Sequence, residues 1–290
     1  MSITTLLIQY FFSGLTLGGI YGLIAIGFTI IFNVSKAFNF IQGEFAMLSA
    51  LTTVFLLTVV KLPMAAAFIC SIILVGLVAA FFEKIFIRPA MRSSHIVIIL
   101  ITVGGSVFFQ GIAALLWGKQ IHSFEPILGN LKSINFLGAS LSPQALFILG
   151  TTALISLLLK IFFDSTLFGK AMIVCSESHE TAQILGIRVE RMIAVSFVLS
   201  GSLGAIGGLL ITPMSSIDYQ AGVMLTVKGI FAAVIGGMGN LWGALIGGLT
   251  LGILESFSAG LISSQYKEAI TFMAFMLILF IRPSGILGEK

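Results

Sequence analysis

The first charged residue of this chain is Lys36, so residues 1–35 form one uncharged and largely apolar stretch. Two further uncharged stretches cover residues 192–217 and 229–254. Each is long enough to cross a hydrocarbon layer of roughly 30 Å, which takes about 20 residues of helix. Across the chain, 58% of the residues are hydrophobic and 9% are charged, and a soluble core cannot bury that much apolar surface. The sequence therefore predicts an integral membrane protein.

The first stretch is expected to remain in the membrane. A signal peptide would carry a basic region, a shorter apolar core and a small-residue cleavage site. No basic residue precedes Lys36, so we expect a retained transmembrane span.

Charged residues and breaks at Pro or Gly divide the chain into eight apolar segments. Their approximate bounds are 8–32, 45–60, 64–82, 96–116, 143–163, 192–211, 223–254 and 262–281. The second is short for a complete span, and the seventh is too long and too glycine-rich for one regular helix. We therefore expect an all-α, polytopic membrane protein with eight or nine transmembrane helices, some discontinuous, in a single domain over residues 1–290.

Positive charge is concentrated in two connections. One contains Lys84, Arg88 and Arg92, and the other contains Lys160, Lys170, Arg188 and Arg191. The positive-inside rule places both in the cytoplasm, and the two spans between them agree with that placement. The 117–142 connection, with Lys119 and Lys132, and the N-terminus then lie outside. If the seventh segment crosses as two half-spans, Arg282 and Lys290 are also cytoplasmic, and we favour that version.

Small residues recur at four-residue spacing in several segments. The sets are Gly14, Gly18 and Gly22; Ser200, Gly204 and Gly208; Gly239, Gly243 and Gly247; and Gly248 and Gly252. This spacing places them on one helix face, where helix backbones can approach closely in a membrane. We interpret most of these glycines as helix-packing positions.

The sequence lacks the usual signatures of catalysis and metal binding. Neither Gly-Lys pair continues as a phosphate-binding loop, because Lys119 and Lys170 are followed by Gln120 and Ala171. The histidines His95, His122 and His179 lie far apart in predicted loops. We therefore expect no enzyme activity, metal or cofactor in this chain. Its net charge of +4 is typical of cytoplasmic Lys and Arg in membrane proteins and does not indicate nucleic-acid binding.

Two ionisable residues are predicted near membrane depth, where charges are costly and often functional. Lys228 begins the seventh segment; it could bind an anionic group, pair with Asp218 or Glu255, or extend to the membrane interface. Glu44 opens the second span, and a carboxylate suits the positive end of a helix dipole. For Glu44 we expect an interfacial helix-start role.

The sequence NFIQGEFAML at residues 39–48 resembles the NFx[HQ]GE[FL]xM[LM] signature of LivH-type permeases, the branched-chain amino-acid ABC importer family. The resemblance extends over nearly the whole chain. It includes GLTLGGIYGLIA at 14–25, GKA at 169–171, ETAQILGI at 180–187, KG at 228–229, GGMGN at 236–240, Gly243-Ala244, Glu255, and RPSGILG at 282–288. Thr181 and the Ser178-His179 pair depart from the family's usual Ala and Asn-Pro.

This resemblance implies a permease subunit that forms half of an importer's translocation pathway for branched-chain or other hydrophobic amino acids. The implied partners are a homologous second permease, two ATP-binding subunits that use ATP, a periplasmic binding protein and the lipid bilayer. The implied location is the bacterial inner membrane. Relatives also carry urea or short amides, so that substrate class stays open.

The same resemblance indicates where function resides. The substrate pathway is expected to include Asn39, Gln42, Gly43, Lys228, Gly237 and Gly239. The ATPase-coupling loop at 164–191 is expected to use Glu180, Ala182, Leu185 and Gly186, on a short helix near 179–185 that Ser178 caps. We expect Gly43 to permit a tight break before the second span, with Asn39 and Gln42 satisfying freed backbone groups. Residues 236–240 are expected to interrupt the seventh segment, with Asn240 capping its second half. Gly186 suits the C-terminal turn of the short loop helix.

Three other classes are less consistent with the sequence. A secondary transporter usually places several ionisable groups at mid-membrane, whereas Lys228 is nearly alone. An intramembrane enzyme needs a catalytic cluster. A channel does not need the helical loop at 164–191.

Overall fold

The computed structural model describes residues 3–91, 93–128, 133–136 and 139–288. The first half consists of α1 (Ile3–Ser35), α2 (Gln42–Thr58), α3 (Met64–Phe82), a π-helical turn (Glu83–Ile87), α4 (Arg88–Ala90) and α5 (His95–Leu116). An antiparallel hairpin of β1 (Ile134–Phe136) and β2 (Ala139–Leu141) follows, with Ile134 opposite Leu141. The rest consists of α6 (Pro143–Ser165), α7 (Leu167–Glu177), α8 (His179–Ile184), α9 (Val189–Ile211), α10 (Ala221–Gly236), α11 (Leu241–Leu261) and α12 (Lys267–Ile281).

The predicted helical membrane architecture is confirmed, with a small β-hairpin in addition. Within the described residues, six helices are long and apolar enough to cross a membrane: Ile3–Ser35, Met64–Ala90, His95–Leu116, Pro143–Ser165, Val189–Ile211 and Leu241–Leu261. Helices α2, α10 and α12 are shorter, with 17, 16 and 15 residues. The number of crossings, eight or nine, therefore stays a prediction.

Helix α1 lies at the centre of the molecule and packs against α9, α10 and α11. Its contact with α11 depends on the small-residue spacing seen in the sequence. A Cβ atom at Gly18 would lie 2.6 Å from the Cα of Leu249, and one at Gly14 would lie 2.6 Å from the Cα of Ile253. These glycines allow the two backbones to touch, which confirms their packing role.

Helix α2 begins inside the protein and its first turn meets the N-terminal part of α10, and we call these two helices the half-span helices. Residues 36–41 are not helical, and Lys36 adopts a positive φ of 57° as the chain leaves α1. Gln42 then starts α2 beside Ser200, which lies midway along α9. The backbone amide of Gly43 donates to Oγ1 of Thr226 in α10 at 2.8 Å. The N-terminal parts of α2 and α10 therefore meet in the interior.

The connections lie at two opposite ends of the bundle. At one end, the Nε2 of Gln9 donates to the carbonyl of Ser140 at 3.0 Å, and His122 pairs with Ile217 as an isolated bridge. At the other end, Lys36 donates to the carbonyl of Ser176. The hairpin connection and the 164–191 loop are thus on opposite sides, as the charge pattern predicts. Arg92, Lys132 and Lys290 fall outside the described residues.

Candidate functional site

An ion cluster of Lys228, Glu255, Lys267 and Tyr21 connects four helices. The Nζ of Lys228 lies 2.9 and 3.1 Å from the two carboxylate oxygens of Glu255, and it donates to the hydroxyl of Tyr21 at 3.1 Å. The Nζ of Lys267 lies 3.3 Å from Glu255. Glu255 is buried, so its charge needs these cations. Of the alternatives that the sequence left open for Lys228, the structure shows the pairing with Glu255.

A cavity of about 260 Å³ lies beside this cluster, among α10, α11 and α12. Its lining consists of Met224, Val227, Lys228, Phe231, Leu251, Glu255, Glu268, Thr271 and Phe272. The surface of this cavity is almost entirely apolar, because the charged ends of Lys228 and Glu255 are bonded to each other. The cavity can therefore accommodate a hydrocarbon group.

The Asn39–Gly43 prediction is correct in one detail and wrong in two. Oδ1 of Asn39 accepts from the backbone amide of Ile41 at 3.2 Å, so Asn39 does satisfy a freed backbone group. Gln42 instead bonds to α9, donating to the carbonyl of Ser200 at 3.2 Å. Gly43 lies within α2 rather than at a break, and a Cβ there would lie 2.0 Å from the carbonyl oxygen of Gly222. Close helix approach, not turn geometry, requires this glycine.

Glu44 occupies the first turn of α2, as predicted, but its carboxylate is buried inside the protein rather than interfacial. Its Oε1 accepts from Oγ of Ser106 at 2.7 Å and from Nε2 of Gln110 at 3.0 Å, both on α5. A Cβ at Gly222 would lie 2.2 Å from its Oε2. Glu44 therefore joins α2, α5 and the start of α10.

The predicted interruption of the seventh segment is confirmed, because α10 ends at Gly236 and α11 begins at Leu241. Gly237 and Gly239 have φ values of 107° and 95°, which side-chain-bearing residues rarely adopt. Oδ1 of Asn240 accepts from the amides of Trp242 and Gly243, each at 3.0 Å, and so caps α11 as expected.

The chain's own C-terminal segment covers this break. The amide of Ile286 donates to the carbonyl of Ile235 at 2.7 Å, and the amide of Leu287 donates to that of Gly236 at 2.9 Å. These bonds satisfy carbonyls at the end of α10. The side chain of Asn240 also donates to the carbonyl of Leu287 at 3.2 Å. The sequence did not indicate this partner.

The predicted helix in the 164–191 loop is confirmed as α8. Oγ of Ser178 accepts from the amide of Thr181 at 3.2 Å, and Gly186 ends the element with a φ of 76°. Ala182 is buried and anchors the helix, whereas Glu180, Leu185 and Gly186 are exposed. The neighbouring thiol of Cys175 is also buried, and desolvation raises its pKa above the usual value.

The predicted pathway residues fall into two separate regions. Near the start of α2, Gly43 bonds to Thr226 of α10, which carries Lys228 two residues later. Gln42 bonds instead to α9, and Asn39 bonds to the backbone of Ile41. Gly237 and Gly239 lie at the other end of α10, where Asn33 donates to the carbonyl of Gly239 at 2.7 Å. Sequence reasoning missed Tyr21, Lys267 and the α12 residues of the cavity. The charged residues at the start of α12 were a signal for Lys267.

The six long apolar helices in the described part of the chain indicate a multi-pass membrane protein. The family model described as "Branched-chain amino acid transport system / permease component" matches residues 10–281. This chain belongs to that family, which confirms the resemblance seen in the sequence.

Individual relatives agree with this assignment. The high-affinity branched-chain amino acid transport system permease protein LivH of Escherichia coli K12 is 32% identical over 97% of this chain and 96% of its own length. BraD of Pseudomonas aeruginosa, which carries the same description, is 31% identical over 97% and 96%. A chain of PsaBC from Streptococcus pneumoniae, solved with a Fab, has a TM-score of 0.53 at 17% identity, covering 94% of this chain and 91% of that one. That last likeness concerns the fold alone.

Proposed function

We propose that this chain forms half of the translocation pathway of an ATP-binding-cassette importer for branched-chain or other hydrophobic amino acids in the bacterial inner membrane. The main support for this proposal is the family match over residues 10–281. The matched residues include the half-span helices, the ion cluster and the coupling loop. The names of LivH and BraD support the substrate class.

In this proposal the half-span helices line the pathway. Irregular backbone at membrane depth is tolerated only against protein or a water-filled cavity. Counting α2, α10 and α12 with the six long helices gives nine membrane helices. In this proposal, α2 is held in place by Asn39, Gln42 and Gly43. Lys228 lies at the cavity among α10, α11 and α12, and α10 ends at the turn formed by Gly237 and Gly239.

The exposed surface of the coupling loop supports the proposal that this chain binds the two ATP-binding subunits. Ile184 is 86% exposed and Leu185 is 64% exposed, although both lie in an otherwise polar connection. Exposed apolar side chains on a capped helix suit docking into a groove of another protein. ATP is used by those subunits. A second permease completes the pathway, and a periplasmic binding protein delivers the substrate.

The test is uptake by the assembled transporter. The chain is reconstituted in proteoliposomes with its second permease, its two ATP-binding subunits and its binding protein, and uptake of radiolabelled leucine is measured. We expect uptake that requires ATP, the binding protein and this chain. Uptake of urea or acetamide in place of leucine would contradict the substrate class, and leucine uptake without ATP would contradict the importer class.

A further inference from the structure

We infer that His179 and Lys36 are positioning residues that join the coupling loop to residues 33–36, where the chain leaves α1. We call residues 33–36 the α1 exit. Through it, movement of the loop reaches both half-span helices. This inference rests on the proposed function and adds to it the side chains that transmit the movement. Neither the family match nor the relatives' names assign them this role.

Two hydrogen bonds join the coupling loop to the α1 exit, one in each direction. Nε2 of His179 donates to the carbonyl of Val34 at 2.7 Å, and Nζ of Lys36 donates to the carbonyl of Ser176. Val34 and Ser176 lie in the last turns of α1 and α7, whose carbonyls have no amide partner within their own helix. The two bonds therefore satisfy groups that both helices leave open, and they hold the loop against α1.

The bond from His179 is a feature of this chain. His179 begins α8, which Ser178 caps. The resembling family usually has proline at this position, and a proline side chain has no donor. His179 is half-buried, whereas Ile184 and Leu185 of the same loop are exposed. The side chain that bonds to α1 is therefore distinct from the apolar side chains proposed to dock on the ATP-binding subunits.

The conformation of Lys36 also favours a role for its side chain. Its φ of 57° lies in the left-handed region, which glycine or asparagine adopts most easily just after a helix. A lysine there is less favourable for the backbone alone. Its ammonium group, however, reaches the coupling loop at Ser176.

The α1 exit is joined in turn to both half-span helices. Nδ2 of Asn33 donates at 2.7 Å to the carbonyl of Gly239, in the break just after α10. In the other direction, residues 37–41 lead directly from Lys36 to the start of α2, which bonds to α10. A displacement of the α1 exit is therefore passed to the start of α2 and to the end of α10.

The test measures coupling in the complete reconstituted importer. Leucine uptake and ATP hydrolysis are measured in the same proteoliposomes with the binding protein, and the ratio of leucine transported to ATP hydrolysed is compared. His179→Ala removes the donor to Val34 and keeps the exposed apolar side chains of α8. We expect normal co-purification of the ATP-binding subunits and a ratio lower by about fivefold, the change that one lost hydrogen bond makes in an equilibrium. His179→Gln, whose amide can donate, should restore most of the ratio.

Gln183→Ala is the matched control, because Gln183 is exposed on the same helix; it should leave the ratio unchanged. Lys36→Met removes the second donor and should lower the ratio as His179→Ala does, whereas Lys36→Arg keeps a donor and should not. If His179→Ala does not accumulate in the membrane, the two Lys36 variants provide the same test.

Deuterium exchange gives a readout that does not depend on transport. In the wild type, exchange of residues 36–41 should differ between the ATP-free importer and the importer trapped with ATP and vanadate. The double variant His179→Ala, Lys36→Met should lose this difference while it still traps nucleotide.

Failure of this inference differs from failure of the proposed function. If the wild type takes up leucine with ATP, but both single variants keep its ratio or the double variant keeps the exchange difference, the inference is wrong and the proposed function stands. Loss of the ATP-binding subunits from His179→Ala would also overturn it, because His179 would then act in docking. If the wild type shows no ATP-dependent leucine uptake, the proposed function itself is wrong.

Discussion

The backbone amide of Gly43 donates a hydrogen bond of 2.8 Å to Oγ1 of Thr226, and so joins the first turn of α2 to α10. The same hydroxyl donates to the carbonyl of Gly222 at 3.0 Å. Close approach of the two half-span helices, which only glycine allows here, therefore brings a backbone donor to a side-chain acceptor. This contact fixes one end of the helix that carries Lys228.

Gly43→Ala should reduce leucine uptake strongly while the protein remains in the membrane. The added Cβ would lie 2.0 Å from the carbonyl oxygen of Gly222 and 2.4 Å from the amide nitrogen of Thr226, so α10 must move. Overpacking of this kind destabilises by about 1–3 kcal/mol. Uptake of radiolabelled leucine is measured, and the amount of this protein in the membrane is determined by immunoblot. Gly104→Ala is the control, since nothing lies within 4 Å of its added Cβ; equal uptake by both variants would contradict the packing role.

Local signals in the sequence predicted local structure well. Ser178 as a cap, Gly186 as a helix end and Asn240 as the cap of α11 all depend on a few neighbouring residues and the backbone between them. The interruption after Gly236 was likewise predictable from the sequence, because its glycines disfavour a continuous helix whatever the tertiary surroundings.

The tertiary partners could not be read in the same way. Nothing near Glu44 in sequence indicates Ser106 or Gln110, which approach it from α5. The sequence around Gly43 suggested a turn, because the neighbouring residues do not show that α10 packs against this glycine. The break between α10 and α11 was predicted from the sequence. The hydrogen bonds from Ile286 and Leu287 to the end of α10 were not predicted, because they join segments about fifty residues apart.

Glu255→Gln should destabilise the protein more than Lys228→Met. Glu255 is bonded to both Lys228 and Lys267, so its loss leaves two cations without their carboxylate. Breaking a buried ion pair from one side costs about 3–5 kcal/mol. Lys228→Met leaves Glu255 its contact with Lys267, so the loss is smaller. Thermal unfolding in detergent measures both variants, and a lower midpoint for Lys228→Met would contradict this order.

Glu177→Cys should be labelled by a membrane-impermeant maleimide only from the cytoplasmic side. Glu177 is exposed at the end of α7, in the loop that the positive charge places inside. Native Cys175 gives little background, because burial raises its pKa and lowers its thiolate fraction. Ser264→Cys, exposed between α11 and α12, is the opposite-side control and should react in intact cells. Labelling of Glu177→Cys in intact cells would reject the orientation.

Ile184→Asp should uncouple transport without unfolding the chain. The side chain is 86% exposed, so it adds little to the chain's own stability, and an apolar contact with the ATP-binding subunits would be lost. We expect weaker co-purification of those subunits and lower substrate-stimulated ATP hydrolysis. Gln183→Ala, exposed on the same helix, should behave like wild type. If the Ile184→Asp variant co-purifies with the ATP-binding subunits normally and supports normal ATP hydrolysis, α8 is not part of the interface with those subunits.

Gly237→Ala should release the C-terminal segment from the break between α10 and α11. The φ of Gly237 is 107°, where a side-chain-bearing residue is strained by about 1–3 kcal/mol. Its added Cβ would also lie 2.4 Å from the amide nitrogen of Gly288. Because Ile286 and Leu287 pair with the end of α10, residues 283–288 should become more accessible, and carboxypeptidase or deuterium exchange measures this. Gly150→Ala, with open space around its added Cβ, is the control. Unchanged protection of this segment in Gly237→Ala would show that the tail does not depend on the glycine break.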